Sequence, residues 1–228
     1  MRGHLHPLTQ FMRVSLKYFT DRGFDLAEGP IIESEWKNFD ALNVPKDHPS
    51  RDVQDTFYLK DKKVLRTHTT TSDVTVIKES KLVPPFKLII PGRCFRNEAT
   101  DATHNYNFYQ FDGIAVGKDL NLTHLIGILE GYIKELFGDS IKIRVRPGHF
   151  DFVEPGLEID MQTPDGSWME MLGAGMGHPN VLKNLGIDSE KWQAVMFGPG
   201  VDRFAMQFFK LDDIRTAYSG DLRFNKQF

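Results

Sequence analysis

Residues 92 to 113 read GRCFRNEATDATHNYNFYQFDG, and residues 198 to 203 read GPGVDR. The first segment carries β-prone ends around a polar centre, the pattern of two strands joined by a charged loop. Arg96, Glu98 and His104 fall in that loop, with Phe108 just beyond it. The second segment is a glycine-rich turn that delivers Arg203 to the start of an apolar helix. Arginine forks pair with phosphate oxygens, and an aromatic face takes a flat ring. Two separated arginines, a carboxylate and a phenyl face therefore suit a triphosphate and an adenine ring.

Other residues invite a second ligand. Gln110 and Asp112 alternate on one expected strand, so both face one side, where an acceptor pair could hold a substrate ammonium. The run Thr67-His68-Thr69-Thr70-Thr71-Ser72 is too polar for core, and its hydroxyls are donors for a carboxylate or phosphate. Thr71 or Ser72 could instead cap the following helix. Phe150 and Phe152 alternate as well and are expected on one strand face, as core aromatics or as a grip on an apolar group. His149 and His178 have no partners at zinc-ligand spacing.

The spacing predicts the elements that must position these groups. Leu8, Phe11, Met12, Leu16 and Phe19 mark a helix starting at Pro7 and stopping at Gly23. A strand is expected from Phe24 to Pro30 and a short helix from Ser34 to Leu42. Thr56 to Leu59 and Val64 to Arg66 read as a hairpin, and Thr71 to Lys81 as a helix. Strands follow at Lys87 to Phe95 and Phe108 to Gly117, then a helix from Leu120 to Phe137. Ile141 to Arg146, Leu157 to Gln162 and Ser167 to Leu172 are strands, the last two joined at Pro164-Asp165-Gly166. Ala194 to Gly198 is a buried strand leading into a helix from Val201 to Phe209. Neighbouring strands with tight turns predict an α+β fold with a mixed, largely antiparallel sheet flanked by helices.

At 228 residues and 40% hydrophobic, the chain is expected to form one domain, 1–228. It has no apolar run long enough for a membrane and no apolar secretory signal. A single cysteine, Cys94, excludes an internal disulfide and fits a reducing cytoplasm. The net charge of -3 offers no global field for nucleic acid, so any RNA contact needs a local patch or a partner.

Nine ordered segments resemble one known family. Besides the two quoted first, they are HPLTQ at His6, NFDALNVP at Asn38, HPSRDVQDTFY at His48 and LRTHTT at Leu65. FDFVEPG at Phe150, GAGMGHPNVL at Gly173 and DLRFNKQF at the C-terminus complete the set. Together they resemble the catalytic core of the bacterial phenylalanyl-tRNA synthetase α subunit, a class II aminoacyl-tRNA synthetase fold. The resemblance implies that the amino acid's carboxylate attacks ATP with Mg²⁺ assistance, and that the acyl group then passes to tRNA. Arg96 and Arg203 would straddle the α-phosphate, Glu98 and His104 would contact ATP, and Phe108 would stack on adenine. His68, Thr70, Gln110 and Asp112 would touch the amino acid, with Phe150, Phe152 and Val153 around its ring and Glu154 as a Mg²⁺ ligand.

The resemblance also implies a β subunit or a homodimer, paired near the first helix and the Phe24 to Pro30 strand. The family's N-terminal coiled-coil region, which contacts tRNA, is expected ahead of the core at which this sequence starts. Four positions depart from the pattern: Asp202 and Asp112 stand for Glu, Asp151 for Pro, and Met196 for a small alanine at the far end of the amino-acid pocket. Met196 would shorten that pocket unless it turns aside. A paralogous ligase for a smaller amino acid, without tRNA, or a non-catalytic ATP- or partner-binding subunit are therefore the alternatives.

Overall fold

The computed structural model describes residues 3–228. Helix α1 (Pro7–Thr20) opens on a proline in its first turn, and the His6 ring accepts from the Leu8 amide at 3.2 Å. It buries Leu8, Phe11, Ser15, Tyr18 and Phe19 along one stripe. β1 is only Asp25–Leu26 rather than a strand through Pro30. The carbonyls of Gly29 and Pro30 are taken instead by the buried Arg66 guanidinium. β2 (Ile32–Ser34) pairs with β3 (Lys63–Leu65), antiparallel. The hairpin expected from Thr56 shrinks to one bridge, Tyr58 with Val64. Thr56 and Tyr58 bond back to the carbonyls of Ser50 and Arg51, which holds the segment in the preceding loop.

The helix expected from Ser34 splits into α2 (Glu35–Asn38) and a 3₁₀ turn, Asp40–Leu42. The helix expected from Thr71 is α3 (Thr71–Asp73) followed by a π-helical stretch, Val74–Glu79. Four β-branched residues in succession, Val74 to Ile77, crowd a regular α-turn. Neither Thr71 nor Ser72 caps α3: Thr71 bonds Asn38 at 2.8 Å, and Ser72 accepts from Arg66 at 2.7 Å.

β4 (Phe86–Phe95) and β5 (Asn107–Gly117) form a long hairpin, followed by α4 (Leu122–Phe137). β6 (Ile143–Phe150), β7 (Val153–Gln162) and β8 (Trp168–Gly177) then fold as a meander, longer at both turns than the sequence suggests. The extension rests on glycines: Gly173 faces the Phe150 ring and Gly175 faces Val153, with no room for a Cβ. α5 (Pro179–Leu185), β9 (Gln193–Pro199), α6 (Val201–Phe209), α7 (Arg215–Tyr218) and α8 (Leu222–Asn225) complete the chain.

The sheet order is β1-β4-β5-β9-β8-β7-β6, antiparallel except for the β1–β4 pair. This is the expected α+β arrangement. The last strand in sequence, β9, sits between β5 and β8. Alternation gives the sheet two apolar faces. Phe111, Ala115, Val195 and Phe197 pack under α1, α4 and α6, where Phe19 and Phe197 stack at 5.1 Å. Ile114, Val116, Ala194 and Met196 face the other way, toward α5 and the Phe39 to Val44 turn. The site continues this second face.

Candidate active site

The strand β5 lays out the site. Phe108, Gln110 and Asp112 lie at alternate positions on one face, spanning about 13 Å at roughly 3.3 Å per residue. All three border a cavity of about 370 Å³. His68, Thr70, Arg96, Glu98, His104, Phe150, Phe152 and Arg203 border it too. Residues separated by up to 135 positions in sequence thus meet around one space of small-molecule size.

At the Phe108 end, the Arg96 guanidinium lies 5.0 Å from the ring centroid and donates to the Thr67 carbonyl at 3.2 Å. Glu98 sits 3.9 Å from Arg96, a loose pair between half-exposed groups. Both arginine and ring are accessible, so the charge is held in place without being neutralised. The loop beyond is organised by Asp101, whose carboxylate accepts from the amides of Thr103 and His104 at 2.7 Å. Those bonds hold Asp101 well below the usual carboxylate range and fix the His104 ring beside it. Arg203, on the first turn of α6, is steadied by one bond to the Glu170 carbonyl at 2.9 Å.

Asp202 does not hold Arg203. It is buried, and accepts from the Tyr109 amide at 2.6 Å and from the Tyr218 hydroxyl. Burial pushes its carboxyl up to about 6. The shorter acid thereby pins the start of α6 to β5 and to α7.

In the middle, Gln110 Oε1 accepts from the Thr69 amide at 3.1 Å while Nε2 donates to the Gly198 carbonyl at 3.3 Å. A side chain at Gly198 would collide with that amide. Asp112 accepts from the Thr70 hydroxyl at 2.5 Å. His68 lies 6.0 Å, ring to ring, from Phe152. Burial, aided by the charges of Arg96 and Arg66, pushes it down to about 3. It is therefore a neutral hydrogen-bonding group at working pH.

Four expectations need correction. Phe150 and Phe152 do not share a strand face, because Phe150 ends β6 and Phe152 lies in the turn before β7. The turn still brings the rings to 6.0 Å and presents both to the cavity. Val153 turns into the core with Ile114 and Met196, away from the cavity. Glu154 is exposed outside it, 3.5 Å from the His178 ring, where the chain reverses into β7. Met196 is fully buried and does not line the cavity: it shares the sheet face of the site but packs beyond Asp112, in the apolar cluster of Ile114 and Ala194. The argument for a smaller substrate needed that side chain to point inward.

Glu170 was not singled out from sequence. It lines the cavity beside Arg203, and its carboxylate makes no ion pair among the described residues. Its signal was an acidic residue next to an otherwise apolar strand run, Met169 to Leu172. Among the described residues no three His, Cys, Asp or Glu side chains converge into a metal cage. Mg²⁺ needs no such cage, since it rides on one or two carboxylates and the substrate's phosphates. Glu170 fits that use.

Residues 1–228 match the family model described as tRNA synthetases class II core domain (F), so the chain has the fold of a class II aminoacyl-tRNA synthetase and belongs to that class. The fold also resembles pyrrolysyl-tRNA synthetase from Desulfitobacterium hafniense, with TM-score 0.73 at 18% identity over 94% of this chain and 74% of that one. The phenylalanine–tRNA ligase α subunit of Leptospira biflexa is 45% identical over 100% of this chain and 69% of its own length. That of Acaryochloris marina is 45% identical over 100% of this chain and 68% of its own. The chain belongs to this phenylalanine–tRNA ligase α-subunit family.

Proposed function

We propose that residues 1–228 form one catalytic domain that activates phenylalanine with ATP and passes it to tRNA. The observation that carries the reading is the order of groups along the cavity. β5 sets Phe108, beside Arg96, then Gln110 and Asp112 along one face, and Arg203, Phe150 and Phe152 border the same cavity. An aminoacyl-adenylate has the same order: base and phosphate, ammonium, side chain. Adenine stacks on Phe108, and the two arginines hold the α-phosphate from either side. Charge building on that phosphate during carboxylate attack is met by fixed guanidinium groups, which lowers the barrier without reorganisation. Gln110 and Asp112 anchor the ammonium and so aim the carboxylate, whose positioning is the rest of the catalysis. Edge-to-face contact with Phe150 and Phe152 adds about 0.5–1.5 kcal/mol beyond burial for an aromatic side chain. Mg²⁺, held on Glu170 and the phosphates, would neutralise charge on the departing pyrophosphate.

Pyrophosphate exchange across a panel of amino acids tests this. Phenylalanine should support exchange far above the others, and exchange driven by a different amino acid would overturn the assignment. A partner fits the edge of the sheet beside β1, where Leu26, Ile32 and Trp36 are all at least 43% exposed. Size measurement of the chain, alone and with the partner subunit of a relative, tests that surface. Transfer RNA should bind the isolated chain weakly because its net charge is -3. Tight, salt-sensitive binding would contradict this.

A further inference from the structure

Behind the middle of the cavity lies a carboxyl group that the steps above leave unused. Asp73, the last residue of α3, is fully buried, and neither of its oxygens has a hydrogen-bond donor among the described residues. It meets the Asp112 carboxyl on β5. Asp112 Oδ1 accepts from Thr70, and Oδ2 has no donor either. Three of the four oxygens in this buried pair therefore lack a donor. Two adjoining carboxylates cannot both stay ionised in a dry site, so the pair keeps at least one proton, and a proton between them supplies the missing donor.

The surroundings leave the pair to itself. β4 contributes the Cys94 thiol, pushed up to about 12 by burial and so uncharged. The turn before α3 contributes neutral His68. β9 offers only the Gly198 backbone, the β6–β7 turn offers Phe150 and Phe152, and α2 offers the Asn38 amide, engaged with Thr67 and Thr71. Arg66 is committed to the carbonyls of Gly29 and Arg93 and to Ser72, and Arg96 to Thr67 and Phe108. No cation lowers either carboxyl.

We propose that Asp73 and Asp112 act as one acceptor for the substrate's ammonium, with Asp73 protonated and hydrogen-bonded to Asp112, and Asp112 releasing its proton as the ammonium enters. The inference rests on the amino-acid-activating reading above and adds the means of selection. Asp73 is a positioning residue, because it touches Asp112 and not the cavity. The pair then carries one negative charge against one ammonium, and the displaced proton leaves to solvent. Burial pushes Asp112 up to about 7, so proton and ammonium compete near neutrality. A deaminated analogue has nothing to displace the proton and gains nothing from the site.

The test is the pH dependence of exchange kinetics, paired with carboxyl-carbon NMR of the ligand-free protein. The KM for phenylalanine should rise on the order of tenfold per pH unit below about 7, while that for ATP stays flat. Asp73→Asn, which keeps a donor toward Asp112, should hold the phenylalanine KM within about threefold. Asp73→Leu should raise it about tenfold or more and move the inflection to higher pH. In the NMR titration the ligand-free pair should pass from two protons to one across about pH 7, a readout that needs neither substrate nor a stable variant. Carboxyls fully ionised at neutral pH, or a phenylalanine KM flat across neutrality, would overturn the proposal. Equal losses in Asp73→Asn and Asp73→Leu with no moved inflection would reduce Asp73 to packing. If the carboxyls titrate as expected but no amino acid supports exchange, the activating reading fails and takes the ammonium role with it.

Discussion

Arg203 and Arg96 differ in how they are held, and the difference decides what each tolerates. Arg203 has one backbone bond, to Glu170, and Arg96 is braced by Thr67 and Phe108. Neither supports the core, so Arg203→Ala should abolish pyrophosphate exchange while leaving the melting temperature nearly unchanged. Arg203→Lys should recover little, because an ammonium cannot reproduce a planar fork. An alanine variant with unchanged ATP affinity would refute the role. Met196 behaves in the opposite way. It is fully buried in the apolar cluster of Ile114 and Ala194, so Met196→Ala removes core atoms rather than lengthening the pocket. It should cost about 2–5 kcal/mol in denaturant unfolding and leave the KM for phenylalanine close to wild type. A gain in phenylalanine use would place the side chain in the pocket after all.

Among the elements, the β6–β7 turn and β8 form one working unit. The Phe150 ring lies against the α-carbon of Gly173, where a Cβ would come within 2.4 Å of it. Gly173→Ala should push the ring into the cavity, raising the KM for phenylalanine severalfold with that for ATP unchanged, as steady-state kinetics would show. This unit also marks where sequence reasoning ran short. Gln110 and Asp112 share a face because alternation on a strand is local and leaves no choice. Phe150 and Phe152 alternate too, yet a turn falls between them, and only the pairing of β6 with β7 decides that. Met196 lies on the expected face, and resemblance supplies that position but not the apolar neighbours that cover it. Asp73 stayed hidden because its meaning comes from Asp112, 39 positions away and on another element.

For the whole molecule, buried acids set how stability responds to pH. Asp202 sits at about 6 in the folded chain against an ordinary 3.8. Between those values the folded state keeps a proton that the unfolded state has lost, so stability falls as pH rises and levels off above about 6. From Asp202 the loss is ~3 kcal/mol, and Asp112 acts in the same direction at higher pH. His68, pushed down to about 3, pulls the other way below about 6.5, so the slope due to Asp202 is read by calorimetry as the difference between wild type and Asp202→Asn. Asp202→Asn should flatten the profile while losing stability on the acid side, since its amide must face either Tyr109 or Tyr218. A profile for Asp202→Asn that runs parallel to wild type between pH 4 and pH 6 would contradict this.

The position of β9 has a consequence for how the chain is made. Gln193–Pro199 leaves the ribosome after every other strand of this sheet, yet it fills the gap between β5 and β8. Until it arrives, the β4–β5 hairpin and the β6–β8 meander have no shared edge, and each presents an open strand to solvent. The arginine at Arg203 follows it by only a few residues, so the closing of the sheet and the completion of the nucleotide end are one late event. Long-range closure of this kind is slow, and the waiting hairpins are its aggregation hazard. A nascent chain stalled before β9 should therefore be protease-sensitive and unable to bind nucleotide, and emergence of β9 with the start of α6 should convert both properties together.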